Sequence, residues 1–287
     1  MPPVLTPMTV HALLAEHDIR PKKSLGQNFL VDPNTARRIV TLAELPTGGP
    51  VLEIGPGLGS LTLALVEHGH HVVAVELDAR LARALGEVLT SAAAASHVRI
   101  EVADALSVEF TELLTEGRAT GDNWSSVSNL PYNVAVPVVM RLLEEAPAIR
   151  RLLVMVQREV GERLAAVPGD ALYGAVSVKA AYFADAKVVG VVPPTVFVPR
   201  PNVESVLVRM HRHASPPVSV PSPDELFTLV RAGFGQRRKM LRRSLQPLLG
   251  GRTLSVLADA GVEPTARAEE LGLAEWAAVS RCVAAFE

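Results

Sequence analysis

The chain has 287 residues, 48% of them apolar and 20% charged, with a formal net charge of −2. That length and balance suit one large or two medium domains around a full core, and they exclude a disordered chain. No uninterrupted apolar run is long enough to span a bilayer, and the opening MPPVLTPMTV lacks a basic region ahead of an apolar core, so a cytoplasmic location without membrane contact is expected. The single cysteine, Cys282, excludes an internal disulfide and reads as a small buried apolar residue.

In chain order, VDPNTARRIVTLAEL reads as a helix that Asp32 can cap, with Pro33 in its first turn. Residues 50–157 then alternate. PVLEIG reads as a buried strand, LGSLTLALVEHG as a helix, HVVAVELD as a strand, ARLARALGEVL as a helix and HVRIEVAD as a strand. WSSVSNLPY contains a fourth strand, VAVPVVMRLLEEA a helix, and RRLLVMVQ a fifth strand. Strands separated by helices predict a parallel sheet covered on both faces. KAAYFADAKVVGVVPP and ESVLVRMHR read as further strands around a Pro-rich loop. HRHASPPVSVPSPDE, 211–225, is Pro- and Ser-rich and reads as a linker, and the remainder is helical, broken at LLGGR and GVEPT. The expected architecture is α/β, a Rossmann-like sheet in residues 1–210, followed by a small all-helical domain in 211–287.

EIGPGLGS joins the first strand of this sheet to its first helix. Gly55, Gly57 and Gly59 permit tight turning and close approach of a ligand to the main chain. The spacing is G-x-G-x-G, whereas a dinucleotide fingerprint is G-x-G-x-x-G, so the loop favours S-adenosylmethionine over a nicotinamide cofactor. A plain strand-to-helix turn is the simpler reading of the loop alone. Glu76, about 20 positions past the loop, ends the second strand, where it can accept from both hydroxyls of a ribose. Asp104 ends the third strand, where it can accept from an adenine amine.

SNLPYN, 128–133, ends the fourth strand at the same edge. Asn129 offers an amide carbonyl, Leu130 is held extended before Pro131, and Pro131 cannot continue a ladder. The Leu130 carbonyl can then face the crevice beside the ring of Tyr132. Two acceptors and a ring suit an exocyclic amine on a planar base. The acceptors aim the nitrogen lone pair at a sulfonium methyl, and alignment of this kind can lower a barrier by about 7–11 kcal/mol. A turn in which Asn and Pro only break the strand is the simpler alternative. Phe197, in the stiff loop VPPTVFVPRPNVES, either covers the second face of a flipped base or plugs the core beneath the loop.

Leu226 to Ala258 contains no acidic residue. Within it Arg231, Arg237, Arg238, Lys239, Arg242 and Arg243 form a patch expected to meet phosphates, where the alternative is a solvated helix face. The eight histidines, His68, His70 and His71 among them, have no ligand spacing, so they are expected at the surface, with no metal.

At these residues the chain resembles the ribosomal RNA adenine N6,N6-dimethyltransferases, the KsgA (RsmA) family. The resemblance rests on KKSLGQNFLVD (22–32), EIGPGLGSLT, VELD, VADAL, SNLPYN, QREVGERL, FVPRPNVES and FGQRRKMLRRSL, in that order. It implies that Asn28, Leu30, Gly55, Glu76, Asp104 and Asn129 line the donor site, and that Asn129, Leu130, Tyr132 and Phe197 hold the target adenine. It further implies dimethylation of two adjacent adenosines in the 3′-terminal hairpin of small-subunit (16S) rRNA, a late role in subunit assembly and a link to kasugamycin resistance. A monomer is expected. The rival within the wider family methylates large-subunit rRNA. Leu130, Pro137 and the near-neutral chain with a full helical tail favour the small-subunit type. VAVP after Asn133, and Glu204 in place of a usual Asp, depart from the family pattern. A non-catalytic RNA-binding assembly factor remains an alternative, and a nicotinamide oxidoreductase is disfavoured.

Overall fold

The computed structural model describes residues 5–21, 26–115 and 123–285. The first four residues of KKSLGQNFLVD therefore lie outside the described residues. The chain forms two compact units. One contains the chain up to Gly161 and Ala186–Arg212, and the other contains Glu162–Asp185 and the chain from His213 onward.

The first unit opens with helix α1 (Pro7–Glu16), which starts at a reciprocal Thr6/Thr9 cap. The short strand β1 (Phe29–Leu30) precedes α2 (Pro33–Leu42), whose N-terminal amides at Asn34 and Thr35 donate to Asp32 as its sequence predicts. Next come β2 (Pro50–Ile54), α3 (Ser60–Glu67), β3 (His71–Glu76), α4 (Ala79–Ser91), β4 (Val98–Val102) and α5 (Phe110–Thr115). Strand β5 (Trp124–Asn129), α6 (Ala135–Glu145), β6 (Ile149–Gln157) and α7 (Arg158–Leu164) follow. In α4 the buried Leu81, Ala82, Leu85, Val88 and Leu89 recur at helical spacing; Leu85 and Leu89 join the sheet core, and Leu81 and Val88 pack with Val10 and Leu14 of α1.

The sheet order is β4-β3-β2-β5-β6-β9-β7, where β7 is Ala184–Val192 and β9 is Ser205–Arg212. Strands β2 to β6 pair in parallel, and β9 runs antiparallel to β6. The chain order departs in both directions from the centre, so β2 and β5 flank a topological switch point. Their main-chain pairing is recorded at Val51 and Leu52, and further along the Ile54 amide donates instead to Ser128 Oγ, at 2.9 Å. Strand β1 forms a separate ribbon with β8 (Phe197–Val198), pairing Leu30 with Phe197. One apolar core joins α2, α3 and part of α4 to the sheet. Another packs Leu5, Val10, Leu14 and Ile19 against Phe29, Leu58, Leu81 and Val88.

The second unit holds α8 (Ala175–Phe183), α9 (Pro223–Gly235), α10 (Leu241–Ser244), α11 (Gln246–Leu249), α12 (Thr253–Asp259) and α13 (Leu273–Ala285). Its core gathers Val178, Tyr182, Leu226, Val230, Leu245, Leu257 and Trp276. Three features differ from the sequence reading. Lys179–Phe183, expected in a strand, are helical. The chain passes from α8 into extended backbone at Ala184 (φ −155°, ψ 154°) with no loop, so no breaker marks the junction. That helix also places Glu162–Asp185 with the C-terminal helices, where the expected boundary at 210 had kept it in the first unit. His70, expected at the surface, is 4% exposed, and its Nδ1 lies 3.1 Å from the Gly49 carbonyl, with burial pushing its pKa down. Cys282 is half-buried.

The end of α6 is held by one arginine. Arg212 donates from Nε to the Ile149 carbonyl, from Nη1 to Leu143 and from Nη2 to Leu142, each at 2.8 Å. Cations suit helix C-termini, where carbonyls lack partners. Removing the guanidinium orphans these acceptors. Arg212→Met is expected to lower unfolding free energy by about 3 kcal/mol, read from a denaturant titration.

Candidate active site at the sheet switch point

Where β2 and β5 part, a cavity of about 430 Å³ opens at the C-terminal ends of the central strands. The segment 26–30, the glycine loop, the end of β3 and residues 129–134 line it. This is the location where open α/β sheets bind ligands.

Glu76, at the end of β3, is 6% exposed and braces the glycine loop. Its Oε2 accepts from the Gly57 amide at 3.1 Å and its Oε1 from the Asp78 amide at 3.0 Å. The Leu77 amide also bonds this carboxyl, and of the roughly four acceptor positions on its two oxygens at least one is left for a ligand. Burial pushes the Glu76 carboxyl above its usual range, and the bonds from the Asp78 and Gly57 amides oppose that shift. Gly57 has φ +57°, and a Cβ there would come within 3.0 Å of the Phe29 ring, so the position admits only glycine without strain.

Asn129 is half-buried at the end of β5. Its Nδ2 donates to the Asn28 carbonyl at 3.2 Å, which turns Oδ1 the other way. Leu130 is buried (1% exposed) and is one of the residues lining the cavity. Tyr132 Oη lies 2.7 Å from Ser205 Oγ, which fixes the ring, and burial pushes the phenol pKa up. Gly26 packs so closely on this turn that a Cβ would stand 2.8 Å from the Tyr132 nitrogen.

Asn28, Leu30, Gly55, Gly57, Glu76, Asn129, Leu130, Pro131 and Tyr132 thus come together. Two sequence candidates do not join them. Asp104 is exposed, and its Oδ1 accepts from the Leu106 amide at 2.8 Å. Phe197 is 3% exposed, pairs with Leu30 and packs in the sheet core, which is the plug arrangement. The sequence reading missed Glu53, Ser205 and the apolar Leu77. A glutamate inside the buried strand VLEI was itself a signal, since charge is costly there without a purpose.

Among the basic residues, Arg237 pairs with Glu269 at 2.7 Å and donates to the Ala171 carbonyl at 2.8 Å. Arg231 donates to Thr228 Oγ1 at 2.9 Å. Arg238, Lys239, Arg242 and Arg243 are exposed and form no ion pair among the described residues. The segment carrying them is pinned, since the amides of Leu241 and Arg242 donate to Ala266 and Pro264. Among the described residues no cluster of three or more His, Cys, Asp or Glu could hold a metal, and no helix is long and apolar enough to cross a membrane.

A glycine loop braced by a strand-end acid, facing a strand that ends on an amide, marks a class: the Rossmann-like, S-adenosylmethionine-dependent methyltransferases. Comparison with known proteins narrows the class. The family model for "Ribosomal RNA adenine dimethylase" matches residues 19–285, and the chain belongs to that family. It is 49% identical to "Ribosomal RNA small subunit methyltransferase A" of Thermobifida fusca (strain YX), over 96% of this chain and 95% of that one. It is 42% identical to the protein of the same description from Moorella thermoacetica, over 98% and 99% of the two chains. Among solved structures, "23S rRNA methyltransferase ErmE" matches with a TM-score of 0.66 and 27% identity, over 90% of this chain and 100% of that one. A dimethyladenosine transferase from Plasmodium falciparum shares the fold, with a TM-score of 0.73 and 22% identity over 88% and 95% of the chains.

Glu53 gives the site a pH signature. It is 1% exposed, accepts from Thr62 Oγ1 at 2.7 Å and lines the cavity. Burial above all, with help from the Glu76 charge and against the Thr62 bond, pushes its carboxyl from an ordinary 4.5 up to about 8. Between those values the unfolded chain carries a charge that the folded chain does not, so stability falls as pH rises through that window. Glu53→Gln is expected to narrow the difference in unfolding free energy between about pH 5 and about pH 8. Denaturant titrations at both values measure it, and an unaltered difference would show that Glu53 ionises in the folded protein.

Proposed function

We propose that this chain transfers methyl groups from S-adenosylmethionine to N6 of two adjacent adenosines in the 3′-terminal hairpin of small-subunit rRNA. It does so in the cytoplasm, as a monomer, during subunit assembly. The relatives sharing 42–49% identity carry the small-subunit description, whereas the large-subunit enzyme ErmE shares 27%. That gap favours the small-subunit substrate.

The residues present fit the donor. It is cationic at sulfonium and ammonium, and the cavity offers it two buried carboxyl groups, Glu53 and Glu76. Gly55 and Gly57 admit it close to the main chain, and Glu76 keeps acceptor capacity for a ribose hydroxyl. Asp104 Oδ1 is engaged by Leu106, which leaves Oδ2 for an adenine amine. Leu77, Val102 and Leu106 are 58%, 57% and 38% exposed and offer apolar cover to a ring. When bound, S-adenosylmethionine supplies an electrophilic methyl carbon.

The chain's own part is alignment. Asn129 Oδ1 and the Leu130 carbonyl accept from the two hydrogens of the target amine, and the Tyr132 ring, anchored by Ser205, stacks on the base. Amine hydrogens held on one side leave the nitrogen lone pair directed at the methyl carbon. No strong general base is needed, because the nitrogen becomes acidic only after it is methylated. Arg238, Lys239, Arg242 and Arg243 contact rRNA phosphates, while Arg237 holds its own unit together.

The observation that supports this reading most is the Asn129 to Asn28 bond, because it engages Nδ2 and leaves Oδ1 to accept. Asn129→Ala is expected to lower kcat for methylation of unmodified small subunits about a hundredfold, with donor affinity by calorimetry nearly unchanged. Wild-type turnover in that variant overturns the amine clamp. Tight subunit binding with no methyl transfer would favour a non-catalytic assembly factor. For the basic patch, Arg238→Glu with Arg242→Glu is expected to weaken subunit binding and to reduce the slope of log K against log salt by about 0.7–0.9 per lost phosphate contact. An unchanged slope removes the patch from the interface.

A further inference from the structure

Helix α6 begins immediately after the SNLPYN turn, and one of its side chains reaches back to the end of β4. Arg141 Nη1 donates to the Ala105 carbonyl at 2.9 Å, and Nη2 to the Val108 carbonyl at 3.0 Å. Its Nε donates to the Glu145 carboxylate at 2.9 and 3.1 Å, and Nη2 also meets Glu145. The guanidinium carbon stands 5.0 Å from the centroid of the Phe110 ring. Both edges and one face of a planar group are engaged, and the side chain is 17% exposed. A rigid fork of donors sets the position of what it holds, whereas a lysine ammonium does not.

What it holds is the turn Asp104–Val108. The turn has internal bonds: the Leu106 amide to Asp104 Oδ1, and the amides of Ser107 and Val108 to the Asp104 carbonyl. It is tied to β3 through the Ala103 amide, which donates to the Glu76 carbonyl at 3.1 Å. Arg141 supplies the tie on the other side, to α6. The start of α6 is in turn joined to the SNLPYN turn, since the Val134 amide donates to the Pro131 carbonyl at 3.1 Å.

We propose that Arg141 is a positioning residue for the methyl donor, acting through the Asp104–Val108 turn, so that one helix sets both the donor's adenine and the target amine. The inference rests on the reading of Asp104 as an acceptor for the donor's adenine amine. Transfer depends on the distance and angle between the methyl carbon and the target nitrogen, which small misplacements spoil. Loss of Arg141 frees the turn from α6 and loosens the donor's base.

The test uses the full chain with Arg141→Gln, Arg141→Lys, Asp104→Ala, the Arg141→Gln/Asp104→Ala double variant and Glu145→Gln. Calorimetry measures binding of S-adenosylmethionine and of 5′-methylthioadenosine, and steady-state transfer to unmodified small subunits separates KM from kcat. Arg141→Gln is expected to weaken both ligands about tenfold and to raise the donor KM by the same factor, with the KM for subunits unchanged. Arg141→Lys keeps the charge and the packing on Phe110, so it guards against a folding defect, and it is expected to restore less than half of the lost affinity. Glu145→Gln keeps both carbonyl bonds and is expected to alter donor affinity less than threefold. The double variant is expected to bind no more weakly than the weaker single variant, because both act at one contact. Wild-type donor affinity in Arg141→Gln beside a loss in Asp104→Ala overturns the positioning role alone. Wild-type affinity in Asp104→Ala overturns the reading of Asp104, and the inference with it. Additive losses, or equal losses in Glu145→Gln, assign Arg141 to helix stability and overturn the proposal.

Discussion

The site depends on one bonding arrangement, the hold of Glu76 on the glycine loop. Gly55 and Gly57 both lie at positive φ, where a chain has little intrinsic preference for one path. A carboxylate rooted in the neighbouring strand gives that path a fixed anchor by accepting from Gly57 and Asp78 together. The brace carries a cost in electrostatics. Glu76 and Glu53 are both buried and both line the cavity; burial pushes each carboxyl up, and the Glu76 charge adds to the shift at Glu53. On the proposed reading a cationic donor favours the ionised form of both carboxyl groups, so the brace that preorganises the loop would also attract a positive ligand.

The opposite wall is assembled from segments remote in sequence. Residues 26–30 supply the Asn28 carbonyl for Asn129, the close packing of Gly26 on Tyr132, and the Phe29 ring against Gly57. Strand β9 supplies Ser205 for the Tyr132 hydroxyl. The departure from the family pattern at Glu204 is accommodated beside it, since Glu204 pairs with Arg158 at 2.7 Å on the surface. The added methylene therefore lengthens an exposed ion pair without entering the cavity.

What was legible in the sequence was local. The alternation of strands and helices, the Asp32 cap, the glycine loop, Glu76 and the SNLPYN turn are each specified within a few residues by periodicity or backbone constraint. What was not legible depended on a distant partner. Ser205 lies 73 positions from Tyr132, and Glu269 lies 32 positions from Arg237, so neither pair shows in a local window. Arg237 looked like its neighbours because its acid lies outside the basic run. Phe197 was ambiguous because a stiff loop serves equally to display a ring or to bury it, and pairing with β1 decides for burial. The α8 to β7 junction was hidden because a helix running straight into a strand leaves no Gly or Pro to read.

The two walls differ in charge, and the difference suits the reaction. In the proposed reaction, positive charge lies on the donor at the start, near Glu53 and Glu76, and passes with the methyl group to the nitrogen that Asn129 and Leu130 are proposed to hold. A carboxylate at position 129 would also accept from the amine, but it would attract the cationic donor into the acceptor's place and would bind the charged product tightly. An amide oxygen and a peptide oxygen accept with similar geometry and no net charge. They can therefore orient the nitrogen, tolerate its transient charge, and release it once a proton departs to water at this half-buried rim. A second methylation requires that release and a renewed approach by the same nitrogen with one hydrogen fewer. Two acceptors of which one suffices to orient the remaining hydrogen are compatible with both rounds.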